Sequence, residues 1–269
     1  GASLSFGASV HTVSFSARAL VEDLPFLLDL INEVLTEPGF PSRQIEKLRT
    51  QFLTGLAIRE QDTSEMSSLE FDKLLYAGHP YGRPEDGYVN TIRSISREDI
   101  RQFHARYYGP RNAVLVLVGA IDRPTAIHLL TDKFGGWTNL QQPAEPRLPA
   151  IRRPNGIQQH HSAIPGKAQV DLVMGTLGPS RLSPDYYAAA MGNNILGQFG
   201  MMGRVGEAVR EKSGLAYYAY SNLNAGVGPG SWEFVAGVNP ANLQKTITLI
   251  QREIKRFISK AVTKSEIED

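Results

Sequence analysis

The first half of the sequence alternates between strand-like and helix-like patterns of apolar residues. From Val13 to Ala19 apolar and polar side chains alternate, which is typical of a half-buried β-strand, and residues 3–8 are its expected hairpin partner. Helical spacing is found over 22–35, 42–59, 63–77 and from Ser96 onward, with a last helix from Asp122 to about Phe134. The run 113–119, Ala-Val-Leu-Val-Leu-Val-Gly, is apolar throughout and predicts a fully buried strand.

The second half repeats this alternation after a stretch rich in proline. Five prolines lie between residues 138 and 167, which indicates an extended linker. We therefore predict a first domain over 1–140, a linker over 141–167 and a second domain over 168–269. The predicted elements of the second domain are strands at 169–176, 215–223 and 231–238, and helices at 183–196, 205–212 and 240–257, with a further helix capped by Thr-Lys-Ser-Glu at 263–266.

The two ends of the chain resemble each other. Residues 3–46 read hairpin, helix, break and then Ser-Arg-Gln-Ile-Glu, and residues 216–268 read hairpin, helix, break and then Lys-Ser-Glu-Ile-Glu. Ile45 and Ile267 would occupy equivalent places. The sequence thus predicts an α+β fold of two tandem homologous repeats, each a mostly antiparallel sheet with helices packed on one face. Both repeats are expected to be incomplete in this chain.

Composition excludes several classes of function. The chain has 269 residues, 28 basic against 27 acidic, so it lacks the basic field of a nucleic-acid-binding protein. It has no cysteine, which excludes disulfides and thiolate metal sites and fits either the cytoplasm or the periplasm. No apolar run approaches the roughly 20 residues of a membrane span. The first residues do not have the pattern of a signal peptide.

The stretch around Arg210 and Tyr217 contains the strongest candidate chemistry. Arg210 falls in the last turn of a predicted helix, Gly214 ends that helix in the left-handed conformation, and Tyr217 lies in the following strand. Both side chains are hydrogen-bond donors suited to a carbonyl oxygen that gains negative charge. Arginine in a last turn also complements the helix dipole, and tyrosine is common in strands, so the pair alone also fits a purely structural interpretation.

Several motifs together resemble the pitrilysin/insulinase family of zinc peptidases. From Leu196 to Tyr217 the sequence is similar to the C-terminal half of that family. Further matches are Pro-x-Phe at 38–40, His-Pro-Tyr-Gly at 79–82, Ile-Ser-x-Glu-Asp at 95–99, Phe-x3-Tyr-Tyr-x-Pro-x-Asn at 103–112 and Val-Leu-Val-Leu-Val-Gly at 114–119. The resemblance implies that Arg210 and Tyr217 contact a peptide substrate across a chamber, in trans.

The same resemblance implies that this chain lacks the family's metal site. The family binds zinc through His-x-x-Glu-His on one helix and a glutamate on a later helix. None of the six histidines has the required neighbours, and the position expected for the later glutamate falls on Gly55. Metal binding by the adjacent His160 and His161 remains a minor alternative. We expect no cofactor in this chain and zinc in a partner chain.

Glycines precede the Arg210 helix. Gly197, Gly200 and Gly203, with Met201 and Met202 among them, predict a flexible connection. One interpretation is a plain connector. The other is a mobile substrate-binding loop, because family members have a glycine-rich loop at this point and methionine adapts to varied peptide side chains.

Three functions are compatible with the sequence. The first is a non-catalytic, substrate-holding subunit or domain of a zinc metalloendopeptidase, inactive alone and paired with a related zinc-bearing subunit. The second is a structural or binding homologue without a proteolytic role. The third is an active zinc peptidase whose metal motif lies outside this segment, which Gly55 argues against.

Overall fold

A computed structural model describes residues 1–268, apart from the side chains of Phe199 and Met201. The chain forms two compact units, residues 1–54 with 85–147, and residues 55–84 with 148–269. In chain order the elements are β1 Ser3–Ala8, β2 Val13–Arg18, α1 Leu24–Thr36, α2 Ser42–Arg59, α3 Thr63–Leu75, α4 Val89–Ser94, α5 Arg97–Tyr107, α6 Arg123–Phe134, β3 Val170–Leu177, α7 Tyr186–Gly197, α8 Phe199–Gly206, a π-helical turn Glu207–Glu211, β4 Ala216–Asn224, β5 Ser231–Val238, α9 Leu243–Ser259 and α10 Lys264–Glu268.

The first unit is organised around α1. Leucine and isoleucine recur on one face of this helix and form the buried cluster Leu27, Leu28, Ile31 and Leu35. Side chains from the β1–β2 hairpin and from α6 pack against this cluster: Leu4, Phe15, Leu129, Leu130 and Phe134. The hairpin is antiparallel, with Ser3 opposite Arg18. The helical spacing predicted over 22–35 is therefore confirmed for this helix.

The predicted buried strand at 113–119 is wrong for this chain. Among the described residues of the first unit the only sheet is the two-stranded hairpin, and residues 113–119 pair with neither of its strands. Val114, Val116 and Val118 are 85%, 77% and 89% exposed. An apolar run indicates that a segment can be buried, but burial in a sheet also requires neighbouring strands, which a local pattern does not supply.

The second unit is organised around a three-stranded antiparallel sheet in the order β3-β5-β4. Strand β5 is central, with Val238 opposite Val170 on one side and opposite Ala216 on the other. Side chains from the sheet, α8, the π turn and α9 form its core: Val205, Val209, Ala219, Phe234, Ala236, Val238, Leu249 and Ile250. The fold is thus α+β, as predicted, with small antiparallel sheets and helices.

The compact units differ from the predicted domain boundaries. Residues 55–84, predicted to belong to the first domain, are grouped with the second unit. Residues 142–169 contain no helix or strand, and the linker and the domain boundaries stay predictions. The assignment of the two units to homologous repeats stays a prediction. No helix in the described part of the chain is long and apolar enough to cross a membrane.

Candidate functional site: the Arg210–Tyr217 corner

Arg210 lies on a π-helical turn rather than on the regular helix predicted for 205–212. The turn spans Glu207–Glu211, and the Lys212 amide donates to the Glu207 carbonyl over 2.9 Å, five residues back. Two side-chain contacts have the same spacing. Lys212 Nζ lies 2.8 Å from Glu207 Oε1, and Ser213 Oγ donates to the Ala208 carbonyl over 2.8 Å. Single π turns within helices occur frequently at functional sites, because they change the direction of the side chains that follow.

The chain reverses directly after Arg210. Gly214 has φ +59°, so the left-handed end predicted from the sequence is confirmed. Its amide donates to the Arg210 carbonyl over 2.9 Å, and the Leu215 amide donates to the Val209 carbonyl over 3.1 Å. These two bonds tie the start of β4 to the π turn. Arg210 and Tyr217 therefore lie on the two arms of one corner.

Tyr217 is the extra residue of a β-bulge. In the pairing of β4 with β5, Ala216 lies opposite Val238 and Tyr218 lies opposite Gly237, so Tyr217 has no partner of its own. A bulge redirects a side chain and commonly does so beside functional sites. The Tyr217 side chain is 71% exposed. Its phenol is thus presented to solvent.

Arg210 is also accessible. Its side chain is 36% exposed and its one ion pair among the described residues is with Glu211, at 3.6 Å between Nε and Oε1. The neighbouring Ala208 and Val209 are buried and anchor the turn in the core. No hydrogen bond joins Arg210 and Tyr217 within the described part of the chain. Two donors therefore share a corner without satisfying each other.

The next residue, Tyr218, has a different role that the sequence did not reveal. Its hydroxyl donates to Asp171 on β3, which also accepts from Thr63 at the start of α3. Gln169 Nε2 donates to the same carboxylate over 2.9 Å. Burial, followed by the bond to Asp171, raises the pKa of Tyr218 to about 12. This tyrosine fastens α3 to the sheet and is unavailable to a ligand.

The glycine-rich stretch lies within α7 and α8 rather than in an open connection, but its backbone is irregular. Residues 199–206 form α8, although Gly200, Met202 and Gly203 have φ of +56°, +73° and +63°. A Cβ on Gly203 would lie 2.6 Å from the Gly197 nitrogen, and a Cβ on Gly197 would overlap Ser221. These two glycines allow close packing, whereas a Cβ on Gly200 would meet open space. The Met201 side chain lies outside the described residues. A gating role stays a prediction.

The described residues do not fit a zinc site. No group of three or more His, Asp or Glu side chains that could hold a metal ion is found among them. Gly55 lies on α2, is exposed, and has open space where a Cβ would stand, so packing does not demand glycine there. His79 is buried and both of its ring nitrogens are used, one accepting from the Tyr81 amide at 3.2 Å and the other 3.1 Å from the Pro149 carbonyl. His160 lies 3.6 Å from Glu70.

Asp72 on α3 and Glu233 on β5 form a pair of interacting acidic side chains in the second unit. Burial, followed by the charge of Glu233 on β5, raises the pKa of Asp72 on α3 to about 7. Glu233 accepts hydrogen bonds from Asn224 at 2.8 Å and Ser231 at 3.2 Å, so its carboxylate is already well satisfied. The Asp72 carboxyl is therefore about half protonated near neutral pH.

Comparison with known proteins identifies the family and supports the α+β fold. The Peptidase M16 inactive domain family matches residues 94–269. An uncharacterized zinc protease of Streptomyces coelicolor is 26% identical over 97% of this chain, and the beta subunit of the mitochondrial-processing peptidase of Saccharomyces cerevisiae is 23% identical over 99%. The crystal structure of a peptidase M16 inactive domain from Pseudomonas fluorescens superposes on the whole chain with a TM-score of 0.87 at 27% identity.

These relatives are longer than this chain. The chain spans 57% of the Streptomyces protein, 60% of the yeast subunit and 65% of the Pseudomonas chain. The family match covers the π turn, the corner and the whole sheet of the second unit, where both candidate donors lie. By sequence and by fold, the chain belongs to the Peptidase M16 inactive domain family.

Proposed function

We propose that this chain is the non-catalytic, substrate-holding part of a zinc metalloendopeptidase. The observation that carries the proposal is the corner itself, where a π turn and a β-bulge present Arg210 and Tyr217 from its two arms. Both irregularities depart from regular secondary structure, and both fall on the two residues with suitable donor chemistry. Membership of an inactive-domain family of peptidases supports the same role.

The chemistry of the two donors fits the charge that develops when a peptide bond is cleaved. Attack on the carbonyl carbon leaves negative charge on the carbonyl oxygen, and a guanidinium and a phenol hydroxyl are both effective donors to such an oxygen. Among the described residues neither side chain has a hydrogen-bond partner, and Arg210 has only the 3.6 Å ion pair with Glu211, so both donors can reach a peptide. The chain would thus hold the reacting carbonyl without supplying the nucleophile.

The metal and the general base would belong to a related partner chain. The residues described here do not fit zinc, whereas the Streptomyces relative is named a zinc protease. The yeast relative is named as one subunit of a processing peptidase, which supports assembly with a second subunit. The alternative is a structural homologue with no part in proteolysis.

A reconstitution experiment separates these two functions. The chain is mixed with a relative that carries His-x-x-Glu-His, complex formation is measured, and cleavage of a quenched fluorescent peptide is followed. We expect neither chain alone to cleave the peptide efficiently and the pair to do so. A stable pair whose activity does not depend on this chain would favour the structural alternative.

A further inference from the structure

Arg204 and Glu266 form a bidentate ion pair between α8 and α10. Arg204 Nε lies 2.6 Å from Glu266 Oε1, and Nη2 lies 2.7 Å from Oε2. The arginine is 8% exposed, and its guanidinium carbon lies 5.5 Å from the centre of the Phe257 ring on α9. The pair fixes the orientation of the guanidinium through Nε and Nη2, while the buried Nη1 has no hydrogen-bond partner among the described residues.

Glu266 is itself held in place. Its carboxylate accepts from the Thr263 amide at 2.8 Å and from Thr263 Oγ1 at 2.9 Å, and its own amide donates to Thr263 Oγ1 over 3.3 Å. This reciprocal arrangement is a capping box at the start of α10. The bond to Arg204, followed by that to the Thr263 amide, lowers the pKa of Glu266 to about 2. The glutamate is therefore ionised and rigid at neutral pH.

The other carboxylate near Arg204 has partners of its own. Glu253 on α9 is buried and lies 3.2 Å from Arg256 Nη1 and 3.6 Å from Arg252 Nε. It contributes charge to the surroundings of Arg204 but no direct bond among those described. Glu266 is thus the side chain that sets the position of the guanidinium.

Arg204 lies at the point where α8 passes into the π turn. The amide of Glu207, the first residue of that turn, donates to the carbonyls of Gly203 and Arg204. Val205 and Val209, on either side of this junction, are fully buried. A shift of Arg204 would therefore be transmitted through the backbone to Glu207 and onward to Arg210.

We propose that Glu266 is a positioning residue for the Arg210–Tyr217 corner, acting through Arg204 and the end of α8. The inference rests on the proposed function for its catalytic consequence, but the mechanical link can be tested without a peptide. On this proposal, α10 stabilises the position of the corner through the bond between Glu266 and Arg204.

The test is amide hydrogen exchange of the whole chain, comparing Glu266→Gln with Glu268→Gln. The control removes an exposed carboxylate from the same helix, one that lies 3.4 Å from Lys264. We expect Glu266→Gln to speed exchange of the Lys212, Gly214 and Leu215 amides roughly tenfold, because a buried guanidinium loses its carboxylate, while amides of β5 stay protected. The control should change none of these.

A second variant keeps the proposal testable if Glu266→Gln does not fold. Arg204→Lys keeps the charge but cannot form the bidentate pair, and it should speed exchange of the same corner amides. Faster exchange confined to 260–268 in both variants would overturn the proposal. If the corner responds as expected but Arg210→Ala leaves peptide turnover unchanged, the positioning role stands and the proposed function fails.

Discussion

The Tyr218 hydroxyl donates to the Asp171 carboxylate, while the adjacent Tyr217 phenol faces solvent. Two neighbouring tyrosines thus have separate roles, one structural and one available to a ligand. The β-bulge between Ala216 and Tyr218 leaves Tyr217 without a partner residue on β5, whereas Tyr218 pairs with Gly237.

This relationship predicts effects of different size on stability for two similar substitutions. Tyr218→Phe should lower the free energy of unfolding by about 1.5 kcal/mol, because a hydrogen bond to a charged carboxylate is lost in a part-buried site. Tyr217→Phe should change it by less than about 0.5 kcal/mol. Urea denaturation followed by circular dichroism measures both. Equal destabilisation by the two variants would contradict the assigned roles.

The Asp72 carboxyl predicts a pH dependence of stability. Its pKa is raised from 3.8 to about 7 in the folded chain, so between these values the folded state binds a proton that the unfolded state does not. The stabilising contribution of the protonated form is therefore complete below about pH 4 and is lost as the pH rises to about 7.

Asp72→Asn isolates this contribution. Relative to the unsubstituted chain, the variant should gain about 2–3 kcal/mol of stability between pH 5 and pH 8, because the amide never acquires charge beside Glu233. Urea midpoints at the two pH values, compared between the two proteins, give the measurement. If the free energies of unfolding of the two proteins differ by the same amount at pH 5 and at pH 8, Asp72 does not titrate in this range.

The two packing environments within α8 predict different costs for adding one methyl group. Gly203→Ala should destabilise the chain by about 3 kcal/mol or more, because its Cβ would meet the backbone of α7 at 2.6 Å and the residue has φ +63°. Gly200→Ala, with open space around the Cβ, should cost only about 1–2 kcal/mol for its backbone conformation. Thermal denaturation compares them.

The same comparison decides how a gating role can be tested. Only Gly200→Ala leaves the packing of α7 against α8 intact, so only this variant reports on peptide affinity without a large loss of stability. Equal melting temperatures for the Gly200 and Gly203 variants would show that the close approach of Gly203 to Gly197 does not hold in solution.

Local sequence patterns predicted much of the fold because the forces involved were local. The strand Ser231–Val238 was predicted with its observed bounds from alternation alone, and the stripe along α1 followed from its spacing. Gly214 was predicted in the left-handed conformation because a non-glycine residue there would be strained.

The features that escaped prediction depend on hydrogen bonds and close packing that the spacing of apolar residues does not record. The π turn at Arg210 is accompanied by contacts to Lys212 and Ser213 that helical periodicity does not reveal. Glycines at 197 and 203 resemble a flexible loop in sequence, but they serve close packing against α7 and β4. At 113–119 an apolar run was predicted to be a buried strand, but its valines are exposed because no neighbouring strand pairs with it.

The central claim is that Arg210 and Tyr217 act together on a peptide bound with a zinc-bearing partner. The most direct measurement is the steady-state kinetics of the reconstituted pair with Arg210→Ala, with Arg210→Lys and Tyr217→Phe alongside and Tyr218→Phe as a neighbouring control. We predict that Arg210→Ala lowers kcat about 10²–10³-fold with little change in KM, because an oxyanion donor acts mainly in the transition state. Unchanged kcat in both Arg210→Ala and Tyr217→Phe would contradict the account.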